Sequence, residues 1–257
     1  MASSAARTDV GRKRTNNQDA FVANEEMHLF AVADGMGGHV GGEVASHIAA
    51  QTLLEFIHAS SWDKGITWPF GFSPTRSGEA NRLHNAVLLA NQEILSRAAV
   101  EPQLQGLGST IVACMIRQDT AAYANVGDSR LYVWREGRLS QITEDDSWAA
   151  SMSRAGALPE QIEKSGMKHV LTRALGSSSD MSVEVGEFDL EPGDLLLMCS
   201  DGLYGPLGDE GIAAVLKETE AAVDGIAQAL IDAANAAGGP DNITVVLVRH
   251  DAAATLA

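Results

Sequence analysis

The residues able to do chemistry lie in four short acidic motifs: RTNNQD at 14–19, ADGMGG at 33–38, SDG at 200–202 and GGPDN at 238–242. Three of them end, or border, an apolar run that reads as a buried strand. The Asp-Gly or Asp-Asn step then turns a carboxylate out at the sheet edge. Carboxylates gathered at one edge repel each other unless a cation sits between them, which points to a divalent metal site. Arg14, on the first motif, adds a planar fork suited to phosphate oxygens. Metal and arginine together are the components of phosphoryl chemistry.

Each residue alone is a weak signal. Asp34 follows the apolar run at 29–33, and an Asp-Gly step by itself reads more simply as a turn. Gly35, Gly37 and Gly38 permit close backbone approach, and they leave the Gly35 carbonyl available as a hard oxygen ligand. Asp201 repeats the pattern after LLLMCS, and Asp241 precedes the last apolar run behind two glycines and a proline. Arg14 and Asp19 complete the set. Cys114 and Cys199 stay outside it. Each sits in an apolar run without a second cysteine or a histidine at ligand spacing, as a buried thiol does.

Composition narrows the partners. The 257 residues include 18 basic and 34 acidic side chains, a net charge of −16, and no lysine or arginine stripe. Neither nucleic acid nor an anionic membrane is expected to bind such a surface. The N-terminal MASSAARTDV lacks a signal-peptide core, and no apolar stretch approaches the ~18 residues needed to span a bilayer. A cytoplasmic protein is expected.

The elements that must position the motifs follow from periodicity. Strands are expected at 20–23, 28–33, 110–117, 120–126, 131–134, 139–142, 183–188, 195–199 and 243–248, with a hairpin turn at 135–138. Helices are expected at about 42–59, 80–99, 211–217 and 222–236, the first two and the last apolar along one face. Strict βαβ alternation is missing, so an α+β fold is expected: two mainly antiparallel sheets packed together, with helix pairs outside. No repeat or linker divides the chain, and residues 1–257 read as one domain ending in a tail at 250–257. Two segments, 61–79 with its four aromatics and 144–176, are long for loops and so read as functional or mobile.

The motifs RTNNQD, ADGMGG, VGDSR (126–130), LTRALG (171–176), SDGLYG and GGPDN occur in the order found in the metal-dependent Ser/Thr protein phosphatases. The chain thus resembles that family, protein phosphatase type 2C or PPM, and its compact bacterial members in particular. The resemblance implies a four-layer α/β/β/α sandwich and two Mn²⁺ or Mg²⁺ ions, with room for a third. By the same resemblance Asp34 bridges both ions, with the Gly35 carbonyl on one of them. Asp201 and Asp241 hold the other, and Asp19 acts largely through metal-bound water. Arg14 clamps the substrate phosphate, and Asp128, with Asp201, matches a third, weaker metal position. Paired cations lower the pKa of a water that attacks phosphorus in line, with no phosphoenzyme. Residues 144–176 correspond to the flap beside the active site.

Four departures from the family pattern stand out. Met36 replaces a histidine thought to protonate the leaving group, which leaves His39 as a candidate donor. Gln18 replaces a common glutamate, Gly205 stands where some members place another aspartate, and Asp145–Asp146 replaces Asp-His. The expected substrate class is phosphoserine and phosphothreonine in proteins, opposite a bacterial Ser/Thr kinase. A non-catalytic phosphoprotein-binding regulator on this fold and a small-molecule phosphohydrolase are the rivals. A nucleotide-loop enzyme is disfavoured, because residues 35–42 lack a following lysine and serine or threonine.

Overall fold

Continuous apolar runs in this chain become strands with both faces covered. A computed structural model describes residues 3–37, 41–62, 67–167, 170–219 and 221–251. One sheet holds, in spatial order, β1 (Ser3–Asp9), β11 (Ile243–Arg249), β10 (Leu195–Cys199), β7 (Arg130–Arg135) and β8 (Arg138–Gln141). The other holds β2 (Asp19–Asn24), β3 (Leu29–Met36), β5 (Ile111–Arg117), β6 (Thr120–Val126) and β9 (Glu184–Asp189), with the short β4 (Gly108–Ser109) against β3. Every pairing is antiparallel.

Side-chain alternation sorts the core into three layers. On β5, Ile111, Ala113 and Met115 face a helix pair, while Val112, Cys114 and Ile116 face the other sheet. On β10, Leu195, Leu197 and Cys199 face the second helix pair, while Leu196 and Met198 face inward. The period of two explains why these strands are apolar throughout their buried length, up to the exposed Arg117 that ends β5: neither side meets water. It also puts the two cysteines in different layers. Both are free and buried, and burial pushes the Cys114 thiol up to about 12.

The outer layers are α1 (Gly41–Trp62) with α2 (Gly78–Val100), and α5 (Asp201–Glu218) with α6 (Val223–Ala236). The apolar faces expected on α2 and α6 are the buried ones: Leu83, Val87, Ala90 and Ile94, then Val223, Ile226, Ala227, Leu230, Ile231 and Ala234. The four-layer α/β/β/α sandwich is thus the observed fold. The hairpin at 135–138 is also present, with Glu136 (φ 49°) and Gly137 (φ 78°) giving the two left-handed residues of a tight turn.

Some elements differ from expectation. β1 precedes the first expected strand, and α5 starts at Asp201 rather than near 211. The segment 144–176 is not all loop: it contains α3 (Trp148–Arg154) and α4 (Pro159–Lys164), neither with a buried residue. Of the 61–79 segment, 63–66 lie outside the described residues, and α1 and α2 take up its two ends. Trp68 and Phe72 pack at 5.3 Å, but the firmer anchors are two buried asparagines of α2. Asn85 accepts from Phe70 N–H (2.9 Å) and donates to the Gly71 carbonyl (3.0 Å), and Asn81 holds Ser73 in the same way. Among the described residues, no helix is long and apolar enough to cross a membrane.

Candidate active site

Antiparallel pairing delivers every acidic motif to one edge of the sandwich. β3, β6 and β10 end at this edge, while β2, β7 and β11 begin there. Asp34, Gly35, Asp128, Asp201, Asp241 and Arg14 all line one cleft of about 840 Å³, together with Gln18, Met36, Thr110, Leu171, Gly205 and Asn242. Asp19 lies just beneath, 6% exposed, and is the direct register partner of Asp34. His39 lies outside the described residues.

Close backbone packing makes this edge possible. A Cβ on Gly35 would sit 1.9 Å from the Gly42 carbonyl, and one on Gly202 would sit 1.9 Å from the Asn242 carbonyl. Only glycine allows the first turns of α1 and α5 to pass this close to the neighbouring backbone. Asn242 then sutures the two loops of the cleft. Its Nδ2 donates to the carbonyls of Val10 (3.0 Å) and Asn16 (2.9 Å), and its Oδ1 accepts from Gln18 N–H (2.8 Å).

A set of hydroxyls that carried no role in the sequence reading holds the acids. Asp34 N–H donates to Thr110 Oγ1 (2.9 Å), whose hydroxyl pairs with Ser129 Oγ (2.7 Å). Ser109 Oγ donates to the Asp34 carbonyl at 3.0 Å. Ser200 Oγ donates to Asp19 Oδ2 (2.7 Å) while accepting from Thr244 N–H (3.0 Å). The available signal was positional: hydroxyl residues at 109–110, 129, 200 and 244 flank the ends of apolar runs.

The electrostatics are those of crowded acids. Burial, then the charges of Asp19, Asp201, Asp128 and Asp241, holds the Asp34 carboxyl well above its usual range. Burial also raises Asp19 to about 6, against hydrogen bonds from Thr244 and Ser200 that lower it. Asp128 rises to about 7 through burial and then the charges of Asp201 and Asp145. Among the described residues Arg14 is the one cation in the cleft lining, and its Nη2 donates to Asp241 Oδ2 at 2.7 Å. The expected phosphate clamp therefore shares its fork with an expected metal ligand.

The donor set fits a hard divalent cation. All the candidate side chains are carboxylates, and Asp19 Oδ1 is buried without a hydrogen-bond partner. Among the described residues, no three Asp, Glu, His or Cys side chains close into a compact cage. The acids instead ring a wide cleft, as suits an ion such as Mg²⁺ that keeps several waters.

The departures acquire structural reasons. Met36 is 36% exposed in the cleft and has no proton to give. Gln18 Nε2 reaches the Gly37 carbonyl at 3.4 Å, so it braces the turn after Asp34. A Cβ on Gly205 would meet nothing within 4 Å, so that side of the third-metal position is open. Asp145 takes a two-pronged bond from Arg130 (2.9 and 2.8 Å), which stacks over Tyr204 at 3.6 Å, and Tyr204 Oη donates to the Asp128 carbonyl at 3.0 Å.

The family profile described as Protein phosphatase 2C matches residues 9–240. The serine/threonine protein phosphatase PstP of Mycobacterium tuberculosis is 35% identical over 95% of this chain, and the serine/threonine phosphatase stp of Listeria monocytogenes is 34% identical over 95%. The chain spans 44% of the length of the former and 94% of the latter. The crystal structure of the PstP catalytic domain in complex with two manganese ions superposes with a TM-score of 0.80 at 34% identity, covering 96% of this chain and 97% of that one.

Proposed function

The chain belongs to the protein phosphatase 2C family, and we propose that it is a metal-dependent protein phosphatase acting on phosphoserine and phosphothreonine. The observation that carries this reading is the ring of Asp34, Asp128, Asp201 and Asp241 around a cleft that Arg14 also lines. The whole chain is read as one catalytic domain, working in the cytoplasm opposite a Ser/Thr kinase.

Asp34, with Asp19 behind it, would hold the centre of a binuclear Mn²⁺ or Mg²⁺ site, with the Gly35 carbonyl as a further ligand. Asp201 and Asp241 would hold its far side, and Asp128 a third position. When bound, such cations supply Lewis acidity and an activated water. The rest belongs to the protein. Arg14, pinned by Asp241, presents the remainder of its fork to phosphate oxygens and offsets the charge that develops on them. The hydroxyls of Thr110 and Ser200 fix the acids before substrate arrives, so no reorganisation is needed at the moment of transfer. Neither buried cysteine reaches the cleft lining, so a thiol nucleophile has no place in the reaction.

The test is phosphate release from a phosphothreonine peptide with Mn²⁺, with EDTA, and with Asp201→Asn. Turnover that needs manganese and is lost in both controls is expected. Folded, metal-loaded protein without turnover would transfer support to a phosphoprotein-binding regulator, and equal turnover of any small phosphoester to a small-molecule phosphohydrolase.

A further inference from the structure

One acid outside the ring of cleft aspartates is bonded on every side. Asp146 is 3% exposed. Its Oδ2 accepts from Gly127 N–H (3.1 Å), and its own N–H donates to the Gly127 carbonyl (2.8 Å). Its carbonyl accepts from Thr172 N–H (2.7 Å), and its Oδ1 accepts from Nη2 of Arg173. Arg173 also donates to Ser182 Oγ at 2.6 Å.

Two of these partners are one residue from the cleft lining. Gly127 precedes Asp128 and turns at φ 105°, where an added Cβ would strike Thr110 at 2.6 Å. Thr172 follows Leu171, which lines the same cleft as Asp128. The bridge between Ser147 and Leu171 closes the base of the segment that carries α3 and α4. Asp146 therefore joins the Asp128 turn to the returning limb of the flap.

The geometry points to Asp146 and Arg173 as a positioning pair that holds the flap against the Asp128 turn and so sets the opening of the cleft to a peptide-borne phosphate. This rests on the phosphatase reading above. The pair touches no substrate. It acts through Leu171 and Asp128, whose separation it fixes. A small phosphoester needs only the cleft floor, whereas a phosphorylated protein segment must also pass the flap. Loss of the pair should therefore tell on the second substrate and spare the first.

Asp146→Asn is a selective probe. Its one acceptor oxygen can keep the Gly127 bond, but its amide N–H groups then face the Arg173 guanidinium, donor against donor. Arg173→Gln removes the opposing charge, and the double variant sets amide against amide. Kinetics on a phosphothreonine peptide and on a small aryl phosphate, with limited proteolysis of residues 155–167, form the test. Each single variant is expected to raise KM for the peptide about tenfold and to speed flap cleavage, with aryl phosphate kcat/KM within about twofold; remote displacements cost up to ~100-fold. The double variant is expected to recover most of the loss. Parameters that move together for both substrates, or a double variant that recovers nothing, would overturn the pairing. If Asp146→Asn does not fold, Arg173→Gln, on a side chain 40% exposed, carries the same comparison alone. Wild-type protein that turns over neither substrate would sink the phosphatase reading, and proteolysis would still decide whether the pair holds the flap.

Discussion

Asp19 and Asp34 are register partners on adjacent antiparallel strands, so two carboxylates leave the same face of one sheet at the same level. Like charges directly opposite each other destabilise a sheet. Here the pair is also held in place by Ser200 on one side and Thr110 on the other. An arrangement that costs stability in the bare protein is one that a cation relieves.

The pH dependence of the metal-free protein follows. Asp34 lies above its usual range, with Asp19 at about 6 and Asp128 at about 7. Between pH 4 and pH 7 the native state binds more protons here than the unfolded chain does, so stability falls as pH rises through that window. Calorimetry in EDTA is expected to show Tm falling by about 5 °C from pH 5 to pH 7.5. Saturating Mn²⁺ should abolish the fall, because the ion takes the place of the protons. A metal-free Tm that climbs over the same interval contradicts the crowding described.

Asp34→Asn separates stability from catalysis. Removing one charge from the facing pair relieves repulsion with Asp19, so the metal-free variant is expected to melt about 2–5 °C above wild type at pH 7.5. Manganese should add little further stabilisation. Phosphate release should fall by about 100-fold or more, since the proposed central ligand is gone. A variant as active as wild type would place the metal centre elsewhere.

Much of this was legible in the sequence, and the part that was not has physical causes. The central strands showed themselves because both of their faces are buried, and the Asp-Gly and Pro-Asp-Asn steps marked where they reach the edge. β1 did not, because SSAARTD is small and polar and only Ala5 is buried. The first turns of α5 were hidden by Gly202, Gly205, Pro206 and Gly208, the last with φ 63° and ψ 171° inside the helix. The α3 and α4 helices bury nothing, so periodicity had no face to report. The hydroxyls that orient the acids lie far from them in sequence, and folding alone brings Thr110 to Asp34 and Ser200 to Asp19.

Arg14 and Asp241 form a partly exposed ion pair of 2.7 Å, and the pair sets two functions against each other. Arg14→Ala releases Asp241 for a cation but removes the phosphate fork. Titration calorimetry is expected to show Mn²⁺ binding unchanged or tighter by up to about fivefold, in keeping with the small worth of exposed pairs. KM for a phosphothreonine peptide should rise by about tenfold or more. Arg14→Lys should recover only part of the KM, because an ammonium cannot bond phosphate through two parallel N–H groups. Weaker manganese binding in Arg14→Ala would mean that the guanidinium supports the metal site.

The asparagine-anchored loop at 67–77 supplies a counter-test of where function resides. It sits at the C-terminal end of α1, and that 22-residue helix spans roughly 33 Å from the cleft edge. Asn85 is fully buried and holds both Phe70 N–H and the Gly71 carbonyl. Asn85→Ala leaves those two groups without their partner, at a cost of about 1–3 kcal/mol. Urea denaturation should report that loss, and protease should cut the loop faster. Turnover per folded molecule on the phosphothreonine peptide should stay within about twofold of wild type, since the Asp34 and Asp201 edge is untouched. A selective rise in KM for a protein substrate, with the peptide unaffected, would instead make the exposed Phe72 side of this loop a docking surface.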